Sequence, residues 1–307
     1  MQKTAKNIKN KIFLIFAVCA ALIIVTASVF GDWRGVYGFF GLAENTAFAS
    51  GEGVSVHFID VGQGDCALIL TPSKSVLIDS GELGYASAVF NYLIAQNVKK
   101  LDYIIATHPH SDHIGSMSEV INYFGARLVI LPEIPDELVT TTGAYLRLLE
   151  SIYDNSAEAV YARRGMKFDL GSGAEMEIIA PLNDYEKIND YSVVVKFTHA
   201  GNSFLFTGDI ENSAESDIAD NGGVSADVLF VAHHGSNSSS TSKFLNAVGG
   251  RYAVISVGSP NSYNHPRPEV ISRISSRDYI ILRTDLHGNI VFDSTGAGLF
   301  VYTQKGE

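Results

Sequence analysis

Apolar and polar residues alternate from Val54 to Asp60, the pattern of a strand with one face against a core. Gly62-Gln63-Gly64 is a turn signal. Ala67–Thr71 and Ser75–Asp79 predict two more strands before a first helix over Ala86–Gln96. Leu101–Thr107 is an apolar run that reads as a buried strand, and Ser116–Tyr123 as a helix. Arg127–Leu131 predicts a strand stopped by Pro132. Residues 133–166 carry little period, with one candidate helix over Leu138–Ile152. Met176–Ala180 is a strand, and Asn183–Asp190 a polar loop. Ser192–Thr198 and Asn202–Phe206 flank Ala200-Gly201 as a hairpin. Helices are then expected at Ala214–Ala219, Lys243–Val248 and Pro268–Ser275. Strands are expected at Asp227–Val231, Ala253–Val257, Tyr279–Arg283 and Asn289–Asp293. A β-rich stretch followed by a mixed stretch occurs twice, which suits an α/β architecture. No repeat is visible in the residues themselves, and Ser236–Ser242 is the sole low-complexity tract.

The N-terminus follows another pattern. Lys3, Lys6, Lys9 and Lys11 precede Ile12–Phe30, 19 residues without a charge. That length spans about 30 Å of hydrocarbon as a helix. The basic tip, residues 1–11, is expected inside and the remainder outside. Residues 12–30 are a transmembrane signal anchor or a signal peptide, cleaved for example at Ala47-Phe48-Ala49. The run exceeds the usual signal core of roughly 7–15 residues, which favours the anchor. Residues 31–52 read as a linker and 53–307 as the folded domain. That domain is expected outside the cytoplasm, single-pass at the membrane or secreted after cleavage.

Composition sharpens the picture in two places. The 307 residues, 46% of them hydrophobic, allow one large core or two small ones. Cys19 and Cys66 support neither a disulfide framework nor a thiolate metal site. Net charge is −11 and uneven: residues 1–50 hold five Lys/Arg against two Asp/Glu, and the rest 17 against 31. The domain, at −14, is a poor long-range collector of nucleic acid. Two bound divalent ions would add about four positive charges locally.

Candidate chemistry concentrates in Thr107-His108-Pro109-His110-Ser111-Asp112-His113-Ile114-Gly115. Four potential metal ligands fall within six residues, on a tight loop at the C-terminal end of a strand, where α/β sheets place function. Imidazole and carboxylate suit Zn, Mn or Fe. His108 and His110 can aim at one ion, and Asp112 and His113 at a second. The plainer alternative is a polar surface loop.

This motif resembles the metallo-β-lactamase superfamily. Asp60-Val61-Gly62-Gln63-Gly64-Asp65, Leu77-Ile78-Asp79-Ser80-Gly81, Phe206-Thr207-Gly208-Asp209-Ile210 and His233-His234-Gly235-Ser236 extend the resemblance to the hydrolase domain of ComEC-type DNA-uptake competence proteins. Ser256-Val257-Gly258 and His265-Pro266 continue it, so that it runs from about Val54 to Val301. The resemblance implies an αββα sandwich. It implies one ion on His108 and His110, another on Asp112 and His113, and Asp209 bridging them. His233 or His234 would complete the second set, with His233 ranked first because it follows its strand sooner. On the residues alone, Asp209 also suits a helix N-cap and the histidine pair a polar loop. Many superfamily members give the first ion a third histidine. Asn189-Asp190-Tyr191-Ser192 has none, and His199 is expected exposed at the hairpin turn. The first site then has three protein donors or is weak, and occupancy by one or two ions stays open.

A metal-bridging hydroxide would be the nucleophile, with Asp112 orienting it. His265 could donate to a phosphate oxygen or leaving group, or be a packed turn residue. Backbone N–H groups around Ser236 and Ser238 could cradle an anion, or form a plain linker. Asp60, Asp65 and Asp79 match family positions behind the ligands. His57 and His287 read as structural.

The leading expectation is a phosphodiesterase or nuclease, dependent on two divalent ions (Zn or Mn), outside the membrane. Its partners would be a phosphodiester, DNA included, and the membrane through the N-terminal segment; no obligate protein partner is called for. One membrane segment makes no channel, so a DNA-uptake role does not transfer with the resemblance. A small phosphoester or a cell-envelope phosphodiester, such as phosphocholine on a wall polymer, is the alternative substrate. Lactam or thioester hydrolysis and non-catalytic metal binding rank lower.

Overall fold

The computed structural model describes residues 53–139 and 141–306. The expected membrane segment and linker lie outside the described residues. No helix among the described residues is long and apolar enough to cross a membrane.

Fifteen strands among the described residues form two sheets. They are β1 Val54–Phe58, β2 Ala67–Leu70, β3 Ser75–Ile78, β4 Leu101–Ile105, β5 Ala126–Leu131, β6 Glu158–Tyr161, β7 Lys167–Gly171, β8 Ala174–Ala180, β9 Val194–His199, β10 Asn202–Phe206, β11 Val228–Phe230, β12 Tyr252–Ile255, β13 Ile280–Arg283, β14 Ile290–Thr295 and β15 Gly298–Thr303. The first sheet runs β15-β14-β1-β2-β3-β4-β5-β6 and the second β13-β12-β11-β10-β9-β8-β7. Each has an antiparallel half and a parallel half, the latter being β3 to β6 in one and β10 to β13 in the other. This is the repeated β-rich and mixed order seen in the sequence, as the αββα expectation requires.

Period-two side chains join the sheets. Val56, Phe58, Ile69, Val76 and Ile105 of the first meet Phe197, Phe204, Phe206 and Phe230 of the second in one buried cluster. The Phe58 ring lies 5.9 Å from that of Phe206 and 4.9 Å from that of Phe230. Between those positions, Val194, Leu205, Leu229 and Ala253 face the other way. They pack with Ile210, Ile218, Phe244 and Ile274 from the helices Asn212–Asn221, Ser242–Val248 and Pro268–Ser275 and the loop before the first of them.

Several elements were invisible to periodicity. β6 is an edge strand with three of its four residues exposed, so it has no buried face to alternate. β7 is the edge of the other sheet and β15 that of the first. The candidate helix of the unreadable stretch starts later than expected, over Gly143–Asp154, capped by the Thr142 hydroxyl. The ligand loop contains a single helical turn, Ser111–Ile114, and a 3₁₀ turn over Ile188–Tyr191 precedes β9.

Candidate metal centre

The ligand-bearing segments follow the C-terminal ends of β4, β10 and β11, which lie at one edge of the sandwich. β4 leads to Thr107 and His108, and the Thr107 carbonyl accepts from the Val193 amide of the other sheet at 2.9 Å. β10 leads to Asp209 through Gly208. Gly208 has φ 51°, and a Cβ there would come within 2.9 Å of the Thr107 side chain. β11 leads to His233 and His234, both with positive φ of 52° and 53°. Gly64 (φ 140°) is pressed against the ligand turn; a Cβ would sit 2.3 Å from the Asp112 carbonyl oxygen.

One set comprises His108, His110 and Asp209. His108 is fully buried. Its Nδ1 lies 3.2 Å from the Thr107 hydroxyl, which itself donates to Asp79 and so can accept from the ring. That leaves His108 Nε2 facing His110 Nδ1 at 2.9 Å and Asp209 Oδ2 at 3.8 Å.

The second set comprises Asp112, His113, Asp209 and His234. His113 Nδ1–H donates to Asp79 Oδ2 at 2.8 Å, and Asp79 is held by the Thr107 amide. His234 Nδ1–H donates to the Ser256 carbonyl at 3.0 Å and lies 3.2 Å from Asp65 Oδ1. Both rings therefore turn Nε2 toward carboxylates. His113 Nε2 is 3.2 Å from Asp209 Oδ1, and His234 Nε2 is 3.3 Å from Asp112 Oδ2.

These residues fit a pair of cations. His113 Nε2 and Asp209 Oδ1 are buried without a hydrogen bond although only 3.2 Å apart; they face a common point rather than each other. Asp65, Asp79, Asp112 and Asp209 gather here with no Lys or Arg ion pair among the described residues. Without an ion, the histidines must supply the positive charge. Burial would lower His113 and His234, but the surrounding carboxylates, Asp209 foremost, outweigh it and raise both well above the usual imidazole range. Burial would likewise raise Asp209, yet His113 and His234 hold it low. His108, dominated by burial and then by the neighbouring His113, is pushed well down, which leaves a neutral ring suited to ligation.

The geometry reverses the expected order of the histidine pair. His234 enters the four-residue set, whereas His233 stays at the cavity mouth, 3.6 Å from Asp209 Oδ2. Two successive left-handed residues turn the later side chain inward. Ser236 and Ser238 do not line the cavity. They bond each other at 3.0 Å, and the Ser238 hydroxyl lies 3.2 Å from His233 Nδ1. Asp60 forms the Gly62 turn and faces Lys305, away from the ligands. Asp209 is not the cap of the following helix; Glu211 holds that position. His199 is partly buried and bonded to Ser294 rather than exposed. His57 is buried beside Ser55, and His287 closes the Arg283 turn.

A cavity of about 370 Å³ opens over the centre and is lined by His110, Asp112, Asp209, His233, His234 and His265. Gln63, Thr142, Asn189 and Tyr263, which sequence reasoning did not single out as site residues, also line it. Tyr263 had a signal: it stands two residues before His265 and stacks on that ring at 5.7 Å.

Comparison with known proteins agrees with this geometry. The chain is 31% identical over 288 residues to competence protein ComA of Neisseria gonorrhoeae, covering 91% of this chain and 38% of that protein. It is 28% identical over 268 residues to ComE operon protein 3 of Bacillus subtilis, covering 79% and 33%. The chain thus spans about a third of the length of these relatives. Among solved structures, CmlA, a diiron beta-hydroxylase from Streptomyces venezuelae, shares the fold at TM-score 0.54 and 14% identity, over 86% of this chain and 60% of that one. The model of the metallo-beta-lactamase superfamily matches residues 59–259, a span holding both ligand sets and the strand ends that carry them, and the chain belongs to that superfamily of metal-dependent hydrolases.

Proposed function

We propose that the protein is a dinuclear phosphodiesterase of nuclease type whose domain acts outside the cytoplasmic membrane. One observation carries the reading: Asp209 turns a different oxygen to each ligand set, Oδ2 toward His108 and Oδ1 toward His113 and His234. A carboxylate so placed suits two ions close together. His108, His110 and Asp209 would hold one, and Asp112, His113, Asp209 and His234 the other. When bound, such a pair supplies an activated water and positive charge for the attacking and leaving oxygens of a phosphoryl displacement.

The surrounding residues have separable tasks. Asp112, a quarter exposed at the cavity wall, is placed to orient the water. Burial, then His234 and His233, hold His265 down at about 4, so its ring is neutral at physiological pH. A neutral imidazole can donate one N–H to a phosphate oxygen or the leaving group. The Ser256 carbonyl and Asp79 keep the outer nitrogens of His234 and His113 in place, with Asp65 Oδ1 3.2 Å from the former. Placement outside the membrane rests on the lysine-flanked apolar run of residues 12–30.

A second reading, a small or cell-envelope phosphodiester, is favoured by the cavity walls. None of the described residues lining the cavity is Lys or Arg, so the cavity itself offers no cationic wall to a polyanion. The full chain, loaded with Mn or Zn, should be assayed on bis-p-nitrophenyl phosphate beside single- and double-stranded DNA. Cleavage of all three, abolished by chelator, supports the nuclease. Cleavage of the small ester alone moves the substrate to the second reading. Two bound ions with nothing cleaved would sink both and return lactam, thioester or purely metal-binding roles.

A further inference from the structure

We propose that the side-chain oxygen of Asn189 is a further protein donor at the ion position of His108, His110 and Asp209, and that it biases this position toward a hard ion of Mn(II) type over Zn. The inference rests on the two-ion reading above.

Asn189 sits in the 3₁₀ turn Ile188–Tyr191 and is only 8% exposed. Its Nδ2 donates to Glu211 Oε1 at 3.2 Å. A carboxylate only accepts, so the amide nitrogen is fixed on that side and the oxygen on the opposite one. Glu211 is itself held by Lys187 at 2.5 Å. The same turn grips the Asp209 loop twice more. Asp190 accepts from the Glu211 amide at 2.7 Å, and the Ser192 hydroxyl accepts from the Asp209 amide at 3.1 Å. The Tyr191 hydroxyl accepts from the Tyr185 amide at 2.9 Å, so each polar side chain of the turn is engaged and the Asn189 amide oxygen is the atom left over. Asn189 Oδ1 is buried and has no hydrogen-bond partner, and Asn189 lines the same cavity as His110 and Asp209. A buried amide oxygen left over in this way calls for a partner.

The deficit of the first set supplies one. It has three donors where the second set has four, and ions of this kind take four or more. Oxygen donors suit Mn and Mg, whereas imidazole suits Zn. An amide oxygen at this point yields a harder donor set than a third histidine would.

The test is metal titration of the full chain, stripped of metal, by calorimetry and by the Mn(II) paramagnetic resonance signal, with no substrate involved. Wild type is expected to show two Mn(II) sites. Asn189→Ala should weaken one of them roughly tenfold or more and leave the other unchanged. Asn189→Asp should retain both. Asn189→His should shift the Zn-to-Mn preference of the same site toward Zn. Wild-type affinity at both sites in Asn189→Ala would overturn the inference. Should Asn189→Ala fail to fold by circular dichroism, Asn189→His decides: an unchanged Zn-to-Mn ratio overturns the inference, and a shift supports it. Asn189-dependent binding without cleavage of any diester would sink the phosphodiesterase reading while sustaining this one.

Discussion

In the set formed by Asp112, His113, Asp209 and His234, each imidazole has its outer nitrogen engaged at 2.8–3.0 Å by Asp79 or the Ser256 carbonyl, and both rings are buried. In the set formed by His108, His110 and Asp209, the outer nitrogen of His108 has contacts of 3.2 and 3.4 Å to hydroxyls, and His110 is partly open to the cavity. The first of these pockets is finished before an ion arrives. The other holds its buried ring by longer contacts and leaves His110 partly open. Rings already locked in place lose less freedom on binding, so the two positions should fill in order, the buried one first.

The largest test of that contrast removes what the two pockets share. Asp209→Asn should weaken both positions by more than roughly a hundredfold, read as metal content after dialysis against limiting Mn. Loss of one ion alone would mean that Asp209 belongs to a single set. Next comes the scaffold of the buried pocket. Asp79→Asn, which removes the charge behind His113, should cost the tighter site about 10–100-fold while sparing the weaker. Equal weakening of both would erase the distinction.

A smaller effect comes from the wall beside His233. Glu215 receives the Ser240 and Thr241 amides and thereby pins the loop that bears Ser238. Burial pushes its carboxyl from about 4.5 up to about 7, with those amides pulling the other way. The unfolded chain therefore ionises first. Stability should be full below about pH 4.5 and erode as pH rises through about 7, by on the order of 3 kcal/mol. Urea unfolding of Glu215→Gln should lack that slope; a slope equal to wild type would assign it to other groups. The smallest change is His233→Ala, which should leave two ions in place with affinities within about twofold, since the ring lies outside the buried set. Loss of an ion by mass spectrometry would restore His233 as a ligand.

Much of this was legible in the chain. Strand ends and the ligand loop could be read because burial on both faces or on one leaves a regular apolar record, as in β4 and β10. Edge strands β6, β7 and β15 left a weak one. The order of His233 and His234 was not legible, because distance along the chain carries no information about two consecutive left-handed residues. Asn189 lay in a stretch notable for the histidine it lacks. Its oxygen gains meaning only once Glu211, 22 positions away, fixes which way the amide faces. Ser236 and Ser238 looked like an anion loop from composition, yet their hydroxyls are spent on each other and on His233.

β1 lies between β2 and β14, with Val54 opposite Ser294 and Phe58 opposite Ile290. One of the first strands of the domain is thus sealed by one of the last, long after every ligand residue has been synthesised. A premature stop codon just beyond the Ser256 region would spare all six residues of the two sets and still leave β1 with a bare edge, ready to pair with another chain. Damage to the gene in its final stretch should therefore surface as insoluble protein in a sedimentation assay rather than as a soluble, metal-binding remnant.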